Sequence, residues 1–136
     1  MAAKMRKNVE CQWIFRYFVT MVVVSRFLTS VFSLGRAQGM LVFPFILIKE
    51  KRFQQNASFM NHEKIHFQQA VELLVVGFYL LYLLEFVIRL LQCRSATRAY
   101  HGISLEREAY ANDHNLGYLK ERKRWAWLRY LVRSAI

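Results

Sequence analysis

The stretch NHEKIHFQQ, residues 61–69, places two histidines four positions apart, with a glutamate directly after the first. Residues i and i+4 share one face of an α-helix, so His62 and His66 can bind one metal ion together. Zinc accepts imidazole nitrogens, and two of them leave room for a carboxylate and a water molecule. Glu63 would lie off the metal but near that water, where it can act as a general base. The pentad therefore predicts a zinc site on a helix.

The same residues also fit the start of an ordinary helix. Asn61 suits the N-cap position, and Glu63 would complement the helix dipole. The two histidines would then be solvated. A third ligand elsewhere in the chain would favour the metal site.

Two glutamates further along the chain are candidates for that ligand. The stretch LEREAYA, residues 105–111, supplies Glu106 and Glu108, forty and forty-two residues after His66. Two positions apart on a helix, they point about 200° away from each other, so only one of them can face the metal. The spacing alone leaves both open.

The two motifs together resemble the gluzincin clan of zinc metallopeptidases. HEKIH followed by a helix with E-x-x-A is similar to the minigluzincins, and to small bacterial proteins with HExxHxxQ and E-x-E-A-Y-A motifs whose substrates are undefined. Gln69 matches the last residue of the HExxHxxQ motif. The resemblance runs from about Val42 to Arg124, counting FPF at 43–45 as the strand that would line the cleft.

This resemblance implies a zincin-like helical domain in which Glu106 is the third zinc ligand. Ala109 would be the small residue that lets the glutamate helix pack close to the metal. The implied reaction is hydrolysis of peptide bonds in a peptide or protein substrate by zinc-activated water, with Glu63 as general base. About thirty residues follow Glu106, which implies a shallow cleft.

The sequence departs from the clan in its second coordination sphere. Gluzincins often have an aspartate directly after the small residue, where it orients a ligand histidine, and this chain has Tyr110 there. Losing such a partner typically costs about 10–100-fold in metal affinity or activity. Tyr110, Asp113 or a backbone carbonyl is therefore expected to orient the imidazole. The candidates for stabilising an oxyanion are Tyr100, His101, Tyr110 and His114.

Composition sets the range of partners. The chain has 136 residues, a net charge of +11 and 55% hydrophobic residues. This suits one small domain whose basic charge either meets an anionic partner, such as a membrane surface, or simply keeps an apolar chain soluble. Nucleic acid is not favoured, because no RNP-type motif and no basic region with heptads occurs. Cys11 and Cys93 form no CxxC motif, which favours a reduced, cytoplasmic or membrane-associated protein.

The chain is expected to divide after residue 39. Residues 1–39 form a basic, apolar segment, whose stretch Cys11–Leu34 is interpreted as a membrane-apposed helix, with a signal-anchor as the alternative. The nine residues between Arg16 and Arg26 are too few to span a bilayer. Residues 40–136 form the zincin-like domain.

The expected fold class is mainly α (α+β). Met40–Ile48 reads as a short strand or hairpin, and Pro44 within it favours an edge strand or an extended segment. The twelve apolar residues Leu73–Leu84 favour a buried core helix that touches lipid on one side, with an interfacial or re-entrant segment left open. The alternative to an enzyme is a catalytically silent, membrane-associated protein with a zincin-like scaffold.

Overall fold

Helices make up most of the described chain, and a small three-stranded sheet accompanies them. The structure is a computed structural model that describes residues 21–131. This architecture confirms the predicted mainly α fold class with a short hairpin. The elements are β1 Val22–Val24, α1 Arg26–Phe32, β2 Gly39–Val42, β3 Phe45–Ile48, α2 Lys51–Gln54, α3 Ala57–Glu72, α4 Val76–Cys93, α5 Ala96–Gly102, α6 Ser104–Asn112, α7 Tyr118–Glu121 and α8 Leu128–Leu131.

The chain divides into two compact units, with the boundary between Lys51 and Arg52. All the candidate site residues belong to the second unit. The division expected after residue 39 stays a prediction, and residues 1–20 of that N-terminal segment lie outside the described residues.

The sheet of the first unit has β3 at its centre. β1 pairs with β3 in parallel and β2 pairs with it antiparallel, with Leu41 opposite Ile46. Pro44 lies in the turn between β2 and β3, so its lack of an N–H group removes no hydrogen bond between the strands. Of the predicted alternatives for Met40–Ile48, a single strand or a hairpin, the hairpin is therefore confirmed, because the proline falls between two strands and not inside one.

The stretch Cys11–Leu34, predicted as one helix, contains both a strand and a helix where the structure describes it. Val22–Val24 form β1, since consecutive β-branched residues favour extended backbone. Ser25 then caps α1, and its hydroxyl accepts a hydrogen bond from the Leu28 N–H at 3.2 Å. In the described part of this stretch, the helix is limited to Arg26–Phe32.

The helix that carries HEKIH begins before the pentad and not at Asn61. The side chain of Asn56 caps α3 by accepting a hydrogen bond from the Phe59 N–H at 3.0 Å. Asn61 was wrongly predicted as the cap, because Asn56 offers the same chemistry more than one turn earlier. Its side-chain amide instead donates, over 2.9–3.2 Å, to the carbonyl oxygens of residues 112, 113 and 115. Asn61 therefore ties α3 to the end of α6.

The apolar run Leu73–Leu84 lies largely in α4, which is not a buried core helix as predicted. Of its residues only Phe78 and Glu85 are buried, whereas Leu80 and Leu91 are 63% and 74% exposed. With a mean hydropathy of 1.6, α4 is long and apolar enough to cross a membrane, a test that core helices also pass. α4 contacts α3 and α5 with one side only. Most of its apolar side chains therefore remain exposed.

α6 carries Glu106 and packs against α3. Its N-terminus is capped from another helix, because the Glu85 carboxylate of α4 accepts hydrogen bonds from the Ser104 N–H, at 2.8 Å, and from the Ser104 hydroxyl. Ala109 is completely buried. The position of Glu106 is thus fixed by contacts from both α3 and α4.

Candidate metal centre

Two helices bring three metal-binding side chains to one point of the second unit. His62 and His66 come from α3 and Glu106 from α6, and one ligand atom of each lies within 4.8 Å of the others. The two histidine Nε2 atoms are 3.0 Å apart. Nε2 of His62 is 3.3 Å from Oε2 of Glu106, and Nε2 of His66 is 3.2 Å from Oε1. This cluster could hold a metal ion.

Burial excludes the alternative of a solvated helix start. His62, His66 and Glu106 are 8%, 5% and 3% exposed, and Glu63 beside them is 4% exposed. Oε2 of Glu63 and Oε2 of Glu106 are buried without a hydrogen-bond partner among the described residues; His62 approaches the latter without hydrogen-bond geometry. Buried carboxylate oxygens without partners are costly, and a cation between these side chains would offset that cost.

Gln69 orients the imidazole of His66. Its side-chain Nε2 donates to the Leu105 carbonyl and to the Glu108 carboxylate, each at 3.0 Å, so its Oε1 is left as an acceptor. Nδ1 of His66 lies 2.8 Å from that oxygen and donates to it. The neutral imidazole then has its lone pair on Nε2, the atom that faces Glu106 and His62. Gln69 thus fixes the orientation and the tautomer of this imidazole.

Replacing Gln69 with methionine is expected to lower the affinity for the metal by about 10–100-fold, because the imidazole of His66 loses the acceptor that fixes its tautomer. A competition titration against a chromophoric chelator measures this affinity, and circular dichroism checks that the fold is kept. Gln68→Met is the matched control, since Gln68 is the half-exposed neighbour. Equal affinities of the two variants would show that Gln69 does not orient His66.

Charges in the cluster shift the protonation of the metal-free site. Burial alone would lower the pKa of His66, but the Glu106 carboxylate more than offsets this and raises the pKa to about 9. Burial alone would raise the pKa of Glu106, yet His66 and His62 hold it well below its ordinary value. Burial raises the pKa of Glu63, and His66 and His62 only partly oppose that. Without metal, His66 is therefore a positively charged imidazolium at neutral pH, with protons on both ring nitrogens.

His62 has two neighbours that the sequence proposed for it. The ring of Tyr110 meets the ring of His62 edge-on, with centroids 4.5 Å apart. Oδ2 of Asp113 lies 3.8 Å from Nδ1 of His62, which is an ion-pair distance but too long for a hydrogen bond. Both residues therefore lie beside the cluster, and their role in orienting a ligand stays a prediction.

Glu108, the rival ligand, lies outside the cluster. Its carboxylate accepts hydrogen bonds from Arg122 at 2.6 and 3.1 Å and from the Tyr118 hydroxyl at 2.8 Å. Arg122 also forms two bonds with Glu72, at 2.7 and 3.1 Å. We call Arg122, Glu72 and Glu108 the Arg122 clamp, and their side chains are at most 3% exposed. Through Gln69 the clamp is joined to His66, so Glu108 supports the site without facing the metal position.

Tyr82 is a site residue that the sequence reasoning missed. Its hydroxyl donates to Oε1 of Glu106 at 2.7 Å, and burial and this carboxylate raise its pKa. A signal was present, because Phe78, Tyr82, Glu85 and Arg89 recur at intervals of three or four residues. The last three of these carry polar groups on one helical face, within a run that is mostly apolar.

The oxyanion candidates lie at different distances from the cluster. Tyr110 touches His62, and its hydroxyl is 3.5 Å from that of Tyr100. The His101 ring is 5.2 Å from the Tyr110 ring. His114 is 89% exposed and pairs with Asp113 at 3.3 Å. The two tyrosines are therefore the better placed candidates.

Comparison with known proteins adds no family assignment to this geometry. No family model, no curated protein and no solved structure matches the chain. The site is therefore defined by the arrangement of its own residues alone.

Proposed function

We propose that the chain is a zinc-dependent metallopeptidase that uses Glu63 as its general base. The observation that carries this proposal is the buried cluster of His62, His66 and Glu106, with the partnerless Oε2 of Glu63 in the same buried region. The resemblance of HEKIH and LEREAYA to gluzincin motifs supports it. A peptide or protein is the proposed substrate, and a cytoplasmic or membrane-associated location is proposed.

Zinc is the metal that suits this donor set. Two imidazole nitrogens and one carboxylate are the protein ligands of several catalytic zinc sites. Ligand atoms at about 2.0–2.1 Å from a tetrahedral zinc ion lie about 3.3 Å from one another. The Nε2 atoms of His62 and His66 are 3.0 Å apart, and they lie 3.3 and 3.2 Å from different oxygens of the Glu106 carboxylate, Oε2 and Oε1. Each of these separations is close to that value.

The protein residues supply binding, orientation and proton transfer. Nε2 of His62, Nε2 of His66 and a carboxylate oxygen of Glu106 would hold the metal, and Gln69 and Tyr82 would fix two of these ligands. When bound, a zinc ion acidifies a water molecule and polarises the peptide carbonyl. Glu63 Oε2 would accept the proton of the attacking water and deliver it to the leaving amine. Its raised pKa brings the carboxylate closer to the working pH.

A peptide library tests the proposal without knowledge of the substrate. Zinc-loaded protein is incubated with peptides derived from a bacterial proteome, and new termini are identified by mass spectrometry. We expect cleavage that a chelator abolishes and that added zinc restores. An unchanged library, with zinc bound, would contradict the proposal.

A catalytically silent protein with a structural metal is the second candidate. The low exposure of the cluster favours it, since closed metal sites are usually structural whereas catalytic sites keep an open position. In that case metal removal would lower the melting temperature, and no peptide would be cleaved in either state. The library experiment and a thermal melt therefore separate the two candidates.

Metal affinity is expected to rise about tenfold per pH unit between pH 7 and 8.5, because the proton on His66 must leave before Nε2 can bind the metal. The pKa of about 9 sets this window. A histidine with the ordinary value of 6.5 would give an affinity that levels off above pH 7. Chelator competition across this range measures the effect, and a level curve would show that His66 is already neutral.

A further inference from the structure

The outward side of α4 is a continuous apolar surface. We define the outer face of α4 as its exposed aliphatic side chains, of which Leu80, Leu83 and Leu84 are 58–63% exposed. Eighteen residues of helix extend over about 27 Å. The outer face consists of Val76, Leu80, Leu83, Leu84, Val87, Ile88 and Leu91.

The charged side chains of α4 and the hydroxyl of Tyr82 lie on its inner side. Tyr82 bonds Glu106, and Glu85 bonds Ser104 and lies 3.6 Å from Arg89. Glu85 and Arg89 are the charged residues of this helix, so the outer face itself carries no charge. Exposed apolar surfaces of this extent on a protein usually mark an interaction site.

The charge around this face is positive. In residues 52–131 there are seven acidic side chains, and all except Glu121 are buried or half-buried. Buried carboxylates of the site and of the Arg122 clamp account for most of them. The exposed basic residues in the same range include Arg94, Arg98, Lys120, Lys123, Arg124 and Arg129.

The positive residues occur at both ends of α4. Arg94 and Arg98 follow its C-terminus directly. At the other end, the N–H of Trp125 contacts the carboxylate of Glu72, the last residue of α3, at 3.3 and 3.4 Å. Lys123 and Arg124 precede this half-exposed tryptophan. Basic residues and a tryptophan around an apolar face are typical of helices that bind at a membrane interface.

We propose that the outer face of α4 docks onto an anionic lipid bilayer, with the helix lying in the plane of the interface. A helix that spanned the bilayer would carry Glu85, Arg89 and the adjacent candidate metal-binding side chains into hydrocarbon, which is costly. In the flat orientation these groups stay on the protein side, and the flanking arginines and lysines meet lipid phosphates. This docking requires neither a metal ion nor Glu63, so it stands or falls independently of the proposed peptidase activity.

An environment-sensitive fluorophore attached to the outer face tests this docking in the full-length chain. Cys11→Ser and Cys93→Ser remove the native thiols, and Leu84→Cys introduces the label. Leu116→Cys is the matched control, because Leu116 is 60% exposed but lies outside α4. The probes are vesicles of phosphatidylcholine with and without phosphatidylglycerol.

With anionic vesicles, we expect the label at position 84 to shift to the blue and to brighten several-fold, while the label at 116 stays unchanged. Added salt should weaken the response. Equal responses at both positions would overturn the proposal. So would a label at 84 that is already in an apolar environment without vesicles, since the face would then be covered by a second copy or by residues 1–20. Light scattering of the unlabelled protein would tell these two coverings apart.

Discussion

Replacing Glu63 with glutamine is expected to lower peptide hydrolysis by about 100- to 10,000-fold while zinc remains bound. Glutamine keeps the shape of the side chain but cannot accept a proton and deliver it to the leaving amine. The fold should tolerate the change, because burial raises the pKa of Glu63 and thus already disfavours its charged form. The rate of cleavage of any peptide found in the library, together with the zinc content, measures both parts of this expectation.

Glu121→Gln is the control for this experiment, because Glu121 is an exposed carboxylate outside the cluster. It should leave both hydrolysis and zinc content unchanged. If Glu63→Gln cleaves the same peptides at the wild-type rate, Glu63 is not the base. If neither protein cleaves any peptide and both hold zinc, the silent structural protein is the better account.

Replacing Arg122 with methionine is expected to lower the free energy of unfolding by about 3–5 kcal/mol, since two buried carboxylates lose their shared cation. Arg122 contacts both Glu72 and Glu108 through four hydrogen bonds of 2.6–3.1 Å. Urea denaturation followed by circular dichroism measures the change. Zinc affinity should fall as well, because Glu108 holds Gln69, which orients His66.

The exposed neighbour Arg124 provides the matched control for this measurement. Arg124→Met should change the free energy of unfolding by no more than about 0.5 kcal/mol. Arg122→Lys should fall between the two, because lysine restores the charge but not the paired geometry of the guanidinium. Similar stabilities of Arg122→Met and Arg124→Met would show that the clamp does not support the fold.

The local part of the site was accessible from the sequence. The spacing of His62 and His66 on one helical face follows from the helix repeat, and the structure places their Nε2 atoms 3.0 Å apart. That Glu106 and Glu108 point in nearly opposite directions also follows from that repeat. The spacing alone did not say which of them faces the histidines. The resemblance to gluzincins supplied the choice of Glu106, which is the one in the cluster.

Long-range partners were not accessible in the same way. The bond from Tyr82 to Glu106, and the one from Arg122 to Glu72, join residues 24 and 50 positions apart. No local pattern encodes such pairs, because they depend on how the helices pack. The wrong prediction of Asn61 as the cap has a different cause, because Asn56 and Asn61 both suit an N-cap position. Asn56 caps the helix, whereas the side chain of Asn61 bonds the backbone at the end of α6.

The burial of α4 was mispredicted for a similar reason. Hydrophobicity alone does not tell a core helix from a helix that faces a membrane. The occurrence of Tyr82, Glu85 and Arg89 on one face would have favoured a helix that contacts the protein with that face alone, because their polar groups need partners on that side. Leu80 and Leu91 are exposed in the structure, so α4 is not buried on all sides.

The zinc content of the purified protein, measured by elemental analysis, tests the central claim most directly. We expect one zinc ion per wild-type chain, loss of zinc in His66→Ala and Glu106→Ala, and retention in His114→Ala, whose histidine is exposed. Freshly prepared wild-type protein without zinc, and without uptake on titration, would contradict the account. The buried cluster would then be a hydrogen-bonded group of polar side chains that binds no metal.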